Sequence, residues 1–203
     1  MGLENDIYKT LVHSSGEVLF KDRNSKFYGY AFPVENESEI KNQLESIKKR
    51  HHSARHYCYA WQLGVNNPAY RVNDDGEPSN SAGMPIYGQI QSFGITNALL
   101  VVVRYFGGIK LGVGGLINAY KTTAQMTLAN AQIVERTINI DFKISFEYEH
   151  MDKVMRIIKE KALEIKSQKM EMNGEIIIAI RKKNATDILN TFTSLYPVII
   201  EKV

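Results

Sequence analysis

One stretch of the sequence decides how the chain folds: RYFGGIKLGVGG, residues 104–115. It overlaps the end of Asn97–Phe106, whose continuous apolar run predicts a strand buried on both faces. After the stretch, Leu116–Gln132 is rich in alanine and threonine and predicts a helix. The glycines between them predict a tight turn from strand to helix: Gly107, Gly108, Gly112, Gly114 and Gly115.

A strand, a glycine-rich turn and a helix N-terminus can together hold an anion, since glycines allow close approach and free amides favour negative charge. Two specific versions of this site fail. The spacing from Gly107 mimics a P-loop, but Val113 takes the lysine position and Gly114 the serine or threonine position. A dinucleotide fingerprint from Gly112 would need glycine where Ile117 stands. Two interpretations stay open, an anion contact or a turn that needs positive φ and close packing.

An acidic turn, Asn73–Pro78, contains three carboxylates: Asp74, Asp75 and Glu77. It lacks the alternate acidic positions and the late glutamate of a calcium loop. Neighbouring carboxylates can hold a magnesium ion when a phosphate supplies further ligands. The alternative is a solvated Asp-Gly turn that ends at its proline.

Possible metal ligands cluster before that turn: His51, His52, His56 and Cys58. His52 and His56 are four apart, as in a metalloprotease helix, but Ser53 stands where the catalytic glutamate belongs. The segment also passes from a helix into a strand, so the two rings would not share a helical face. Arg55 favours an electropositive surface instead. A cysteine inside an apolar strand is more often a packing residue than a nucleophile.

The remaining pattern predicts two groups of elements. The first contains strands, helices and a polar loop: strands Val18–Asp22 and Phe27–Val34, a helix from Asn36 to His52, strand His56–Leu63, loop Asn66–Asn80 and helix Ser81–Ser92. The second has β-α-β-β-α-β order, which is that of a ferredoxin-like unit: strand Ile133–Tyr148, helix Met151–Lys161, strands Leu163–Met172 and Glu175–Arg181, helix Ala185–Leu195 and strand Pro197–Glu201. We therefore predict an α+β protein with two domains, residues 1–136 and 137–203.

Composition is that of an ordinary globular protein, with 44% hydrophobic and 23% charged residues among 203. The formal net charge of +3 leaves room for a local basic surface. Cys58 is the only cysteine, so an internal disulfide is excluded and a reducing compartment is favoured. Met1–Thr10 lacks the pattern of a signal peptide, and the apolar run Ala98–Val103 is too short for a bilayer. A cytoplasmic location without membrane contact follows.

Three segments resemble the YigZ/Impact family: His51 with Ala54-Arg55-His56, residues 74–85 with sequence DDGEPSNSAGMP, and Val103–Gly108 continuing to Ala119-Tyr120. The resemblance spans residues 15–130, and the remainder looks like the small domain appended in that family. It implies an N-terminal domain similar to a ribosomal small-subunit protein domain and to domain IV of elongation factor G, followed by a domain like its domain V. Eukaryotic Impact relatives restrain the amino-acid-starvation kinase of translation by competing for its activator.

From the residues and the resemblance we predict a non-enzymatic protein that binds RNA, the ribosome or a translation-regulatory protein, with no metal or cofactor. The predicted binding residues lie in a cleft with the acidic turn: Arg55, His56, Arg104, Gly107, Gly108, Lys110, Gly112, Gly114, Gly115 and Lys121. One alternative for Arg104 is an ion pair with Asp74 or Asp75 that holds the acidic turn. The alternative function is a metal-assisted hydrolase that uses the acidic turn and His56 on a phosphate held by Gly107–Gly115.

Overall fold

The computed structural model describes residues 6–203 and contains two compact units. One unit is Tyr8–Arg136, and the other is Thr137–Val203 together with Asp6 and Ile7. Residues 1–5, on which the expectation about a signal peptide partly rests, lie outside the described residues. None of the helices within the described part is long and apolar enough to cross a membrane.

The elements follow one another in this order: β1 (Ile7–Leu11), β2 (Val18–Asp22), β3 (Ser25–Pro33), α1 (Glu37–Arg50), β4 (His56–Leu63), β5 (Ala69–Asn73), α2 (Gly83–Phe93), β6 (Ala98–Tyr105), α3 (Gly112–Ala129) and β7 (Ile133–Thr137). The rest of the chain forms β8 (Asn139–Phe146), α4 (Met151–Glu160), β9 (Glu164–Met170), β10 (Gly174–Arg181), α5 (Ala185–Thr193) and β11 (Ile199–Lys202). The prediction of a mixed, two-domain fold of helices and sheets is confirmed.

The N-terminal unit is built on a five-stranded sheet of order β2-β3-β6-β4-β5, in which neighbouring strands are antiparallel. Its central strand, β6, is buried from Ala98 to Arg104, as the apolar run predicts. Leu100 and Val102 face a core under α2 and α3, whereas Val101 and Val103 face a second core under α1. Fully burying such a side chain contributes about 1.5–3 kcal/mol, so helices on both faces stabilise this strand.

Local signals account for the start of α1. The amide of Glu39 donates to the Asn36 side chain over 2.9 Å, and the Asn36 amide group donates to the Glu39 carboxylate over 2.8 Å. This reciprocal pair confirms the predicted helix start. The helix ends at Arg50, slightly before the predicted His52, and the His51 amide closes its last turn on the carbonyl of Ile47. The backbone of His51 has already left the helical conformation, with φ −111° and ψ 38°.

Three larger differences from the prediction concern a missed strand, the start of a helix and a strand that is divided in two. The segment predicted as a polar loop over residues 66–80 contains β5, which forms an antiparallel pair with β4. In this strand the ring of Tyr70 stacks on that of Tyr87, with 4.3 Å between the ring centroids. The helix predicted from Leu116 begins at Gly112, so Gly112, Gly114 and Gly115 belong to α3. The strand predicted over Ile133–Tyr148 is two strands, because β7 pairs with β1 and β8 joins the C-terminal sheet.

The C-terminal unit has an antiparallel sheet of order β11-β8-β10-β9, the strand order of the predicted ferredoxin-like unit. Phe142, Ile144 and Phe146 alternate onto its buried face, where they meet α4 and α5 in a core of their own. Arg181 binds Asp6 through its Nε at 2.6 Å. This contact adds the first described residue to the unit.

We predict that residues 137–203 fold without the rest of the chain, because their buried core draws only on their own elements. The expressed fragment should give a mixed helix and strand circular dichroism spectrum and a cooperative thermal transition. The fragment lacks Asp6 and therefore loses the ion pair between this residue and Arg181. The full chain with Asp6→Asn loses the same ion pair and serves as the control. An unfolded spectrum for the fragment would show that the domain boundary is wrong.

Candidate functional site

The motif segments meet at one end of the N-terminal sheet. The register pairs Arg104 at the end of β6 with His56 at the start of β4 and with Phe27 near the start of β3. The acidic turn joins this end because the Asp75 carboxylate accepts from the Tyr57 amide at 2.7 Å and its carbonyl lies 2.9 Å from Nδ1 of His56. Segments that are distant in sequence therefore surround the start of the glycine stretch.

A buried ion pair holds the acidic turn to the sheet. Nη1 of Arg104 donates to Oε1 of Glu77 over 2.7 Å, and the two side chains are only 6% and 4% exposed. The same carboxylate oxygen accepts from the hydroxyl of Tyr120 in α3 at 2.8 Å. The ion pair is thus the alternative foreseen for Arg104, but with Glu77 instead of Asp74 or Asp75. Arg104 does not belong to an exposed basic surface.

Asp74 is a structural residue as well. One of its oxygens accepts from the amides of Ala82 and Gly83, at 2.9 and 2.8 Å, and the other accepts from the amide of Asn80. These bonds satisfy free amides at the start of α2, which a side-chain acceptor stabilises by about 1 kcal/mol. The three carboxylates of the acidic turn are therefore all engaged inside the protein.

The glycine stretch has two structural parts. Gly107 lies against the β2–β3 turn, where an added Cβ would come within 2.1 Å of the Asn24 backbone. Gly108 and Gly112 have positive φ, at 88° and 71°, which glycine adopts freely. Gly114 does not have positive φ, and a Cβ there would meet open space.

A cavity of about 380 Å³ opens between the acidic turn and the glycine stretch. Its lining is mostly apolar: Glu77, Pro78, Arg104, Phe106, Lys110, Leu111, Gly112, Val113 and Leu116. Apolar side chains stand exposed around it, with Phe106 50%, Ile109 49% and Val113 54% accessible. The sequence alone does not predict this exposure, because large apolar side chains are usually expected in the core.

The predicted binding residues divide into two groups. Arg104, Lys110 and Gly112 line the cavity, whereas the others do not: Arg55, His56, Lys121 and the remaining glycines. Lys110, Lys121 and Arg55 are exposed. Lys121 follows Val113 and Ile117 at spacings of four residues, so the three lie along one exposed stripe of α3.

The possible metal ligands do not converge. His51 is buried beside Tyr30 and Tyr105, with its Nδ1 3.1 Å from the Tyr105 hydroxyl, and burial lowers the pKa of its ring. Cys58 is fully buried and contacts the Asp74 carbonyl, and burial raises the pKa of its thiol far above the ordinary value. A thiol in that state is a poor nucleophile. Within residues 6–203, no group of three or more histidine, cysteine, aspartate or glutamate side chains is placed to hold a metal ion.

Known proteins are similar in sequence to the part of this chain that contains these motifs. The family model of the Impact N-terminal domain matches residues 23–128. IMPACT family member YvyE of Bacillus subtilis is 32% identical over 184 residues, covering 91% of this chain and 85% of that protein. IMPACT family member YigZ of Escherichia coli is 32% identical over 136 residues, covering 66% of this chain and 67% of its own.

Fold similarity extends over the whole chain. A crystal structure described as that of a hypothetical protein superposes with a TM-score of 0.75 at 22% sequence identity. The match covers 98% of both chains, so that protein has the same fold.

The buried ion pair gives a direct test of the scaffold. Replacing Glu77 by Gln leaves Arg104 as a buried charge without its carboxylate, and removing one partner of such a pair costs about 3–5 kcal/mol. The free energy of unfolding, measured with urea, should fall by that order. Glu201→Gln is the matched control, since its ion pair with Lys143 is exposed and 3.9 Å long. Equal effects of the two substitutions would contradict a structural role for Glu77.

The two kinds of glycine should respond differently to alanine. Gly107→Ala forces Cβ into the backbone of the β2–β3 turn and should destabilise the protein by about 1–3 kcal/mol or more. Gly114→Ala, in the first turn of α3 with open space around it, should be neutral or stabilise by up to about 1 kcal/mol. Thermal melts of both variants measure the difference. Similar melting temperatures would show that the β2–β3 contact is easily displaced.

Proposed function

The chain belongs to the Impact family, and from that premise we propose that it regulates translation without catalysis, by binding RNA at the end of the N-terminal sheet. Regulation of translation is what the family resemblance implies. The binding surface consists of Arg55, Phe106, Lys110 and Lys121 with the amides of the glycine stretch. RNA or a ribosomal site rich in RNA is the partner that this chemistry suits.

One observation carries the proposal: between Glu77 and Glu135 the sequence contains no aspartate or glutamate. The cations of this stretch are Arg104, Lys110 and Lys121, and only Arg104 has an ion pair among the described residues. Both lysines are exposed. The glycine stretch and α3 thus present positive charge with no carboxylate of their own to neutralise it. Phosphates would be attracted to such a surface.

The exposed ring of Phe106 adds a stacking position. Arg104 lies 5.5 Å from its centroid, which helps to hold the ring at the rim of the cavity. Unpaired bases stack on such rings with little sequence preference, and each stacked base contributes about 1–3 kcal/mol. Single-stranded RNA is therefore a better candidate than a duplex, whose bases are already stacked.

The alternative of a metal-assisted hydrolase is less well supported. Such an enzyme needs carboxylates that converge on a cation. Here Asp74 accepts from backbone amides, Asp75 from the Tyr57 amide, and Glu77 from Arg104 and Tyr120. A metal would have to displace these bonds and break the contacts that hold the turn.

Salt dependence tests the proposal. Each phosphate contact to single-stranded RNA contributes about −0.7 to the slope of log affinity against log salt, so Lys110→Ala with Lys121→Ala should flatten that slope by about 1.4. Binding to labelled oligo(U) and oligo(A), measured by fluorescence anisotropy, should weaken alike because phosphates carry no sequence information. Lys153→Ala with Lys159→Ala, on exposed positions of α4, is the charge-matched control.

Two outcomes would contradict RNA binding at this surface. One is a wild-type chain that binds neither oligonucleotide at low salt. The other is a double variant at positions 110 and 121 that binds as the wild type does at every salt concentration. In either case the apolar cavity would instead be assigned to a protein partner.

A further inference from the structure

Several exposed large apolar side chains lie at one end of the C-terminal sheet. Met172 is 94% and Tyr196 92% accessible, and Ile199 and Tyr148 are about half exposed. The register explains why they share this end: Gly174, after the β9–β10 turn, pairs with Phe146, and Ile199 pairs with the adjacent Ser145. The turn that holds Met172, the segment after β8 and the segment before β11 therefore lie side by side.

This exposure is not explained by the unit's own core. The buried faces of β8 and β10 are covered by α4 and α5, and the core residues around Ile144 and Ile176 are fully buried. Met172 and Tyr196 stand outside that core, one in a hairpin turn and the other between α5 and β11. Large apolar side chains that are exposed on one side of a domain among polar groups are typical of interaction sites.

Charge defines the kind of partner. The same end carries exposed carboxylates: Glu147, Glu149, Asp152, Glu171 and Glu175. Two of them have weak or local ion pairs, Glu175 with Lys143 at 4.0 Å and Glu149 with the adjacent His150 at 3.1 Å. Four cations lie at the opposite end of the sheet, where β10 and α4 end: Lys161, Arg181, Lys182 and Lys183. Lys153, in the first turn of α4, is an exposed cation at the acidic end. Lys169, on β9, is the cation nearest the exposed methionine in sequence.

From this arrangement we propose that the acidic end of the C-terminal sheet is a docking surface for a protein segment that combines lysine or arginine with apolar anchors. Tyr196 and Met172 pack against the anchors, and the carboxylates around them face the cations. RNA is disfavoured here, because its phosphates would meet this group of negative charges. The proposal does not depend on RNA binding by the N-terminal unit.

A designed peptide can test it in the full-length chain. The probe is a short labelled peptide of lysine and leucine, compared with one in which glutamate replaces every lysine and one in which serine replaces every leucine. The chain has a net charge of +3, so overall charge does not favour a basic peptide. Only a local acidic surface would, and anisotropy should show the lysine–leucine peptide binding more tightly than both others.

Variants then locate the binding. Met172→Ala with Tyr196→Ala should weaken binding of the lysine–leucine peptide by about tenfold, as expected for central anchors. Glu147→Gln with Glu171→Gln should weaken it by about threefold and reduce its salt dependence. Val203→Ala is the control for an exposed apolar residue, and Glu164→Gln with Asp187→Asn controls for charge at the other end of the sheet. None of the exchanged side chains belongs to the buried core, so thermal melts should be unchanged.

The proposal would be overturned by several results. Equal binding of the leucine and serine peptides would show charge attraction without docking. Equal loss in the variants of the two ends would show that no specific end is recognised. Full binding by the Met172 and Tyr196 double variant would exclude these side chains as anchors.

Discussion

The ion pair between Arg104 and Glu77 is the contact on which the functional end of the N-terminal unit depends. It joins the central strand to the acidic turn, and the shared hydroxyl of Tyr120 adds the helix that follows the glycine stretch. Ser25 completes the arrangement, since its Oγ accepts from the Gly107 amide at 3.2 Å. A buried charge that loses its partner lowers the free energy of unfolding by several kcal/mol. Disruption of the acidic turn should therefore also destabilise the end of β6 and the start of the glycine stretch. Nε of Arg104 has no hydrogen-bond partner among the described residues, which leaves Glu77 as the group that compensates the charge.

Because of this ion pair, the charged residues of the motifs are interpreted as structural residues. Asp74, Asp75, Glu77 and Arg104 resemble a catalytic set in sequence, yet their polar atoms are directed at one another and at backbone amides. What remains available to a partner is different: an apolar cavity wall, an aromatic ring and lysines on the rim. These groups suit the binding of a partner, which is the function proposed above.

Local patterns predicted much of the fold. The burial of β6 follows from its unbroken apolar run, the start of α1 from Asn36 and Glu39, and the C-terminal unit from strict alternation in β8. The strand β5 was missed because it is specified by its pairing with β4 and by the stack of Tyr70 on Tyr87, neither of which is local in sequence. The same holds at the site. That an arginine on a buried strand would pair with the acidic turn was foreseeable, but the choice of Glu77 depends on a turn geometry that composition does not encode.

The two units differ in the chemistry that they offer to partners. In the two proposals, the N-terminal unit offers lysines and amides to phosphates, whereas one end of the C-terminal unit offers carboxylates around Met172 and Tyr196 to a basic protein segment. These ligands attract each other and occur together in assemblies of RNA with basic proteins, so one assembly can satisfy both surfaces. Joining two weak binding sites in one chain makes the second contact intramolecular, which can raise overall affinity by about 10²–10⁴-fold when both sites can be reached at once. Neither surface then needs to bind tightly by itself, and a regulator built this way would recognise the combination of RNA and protein and bind free RNA or free basic protein only weakly.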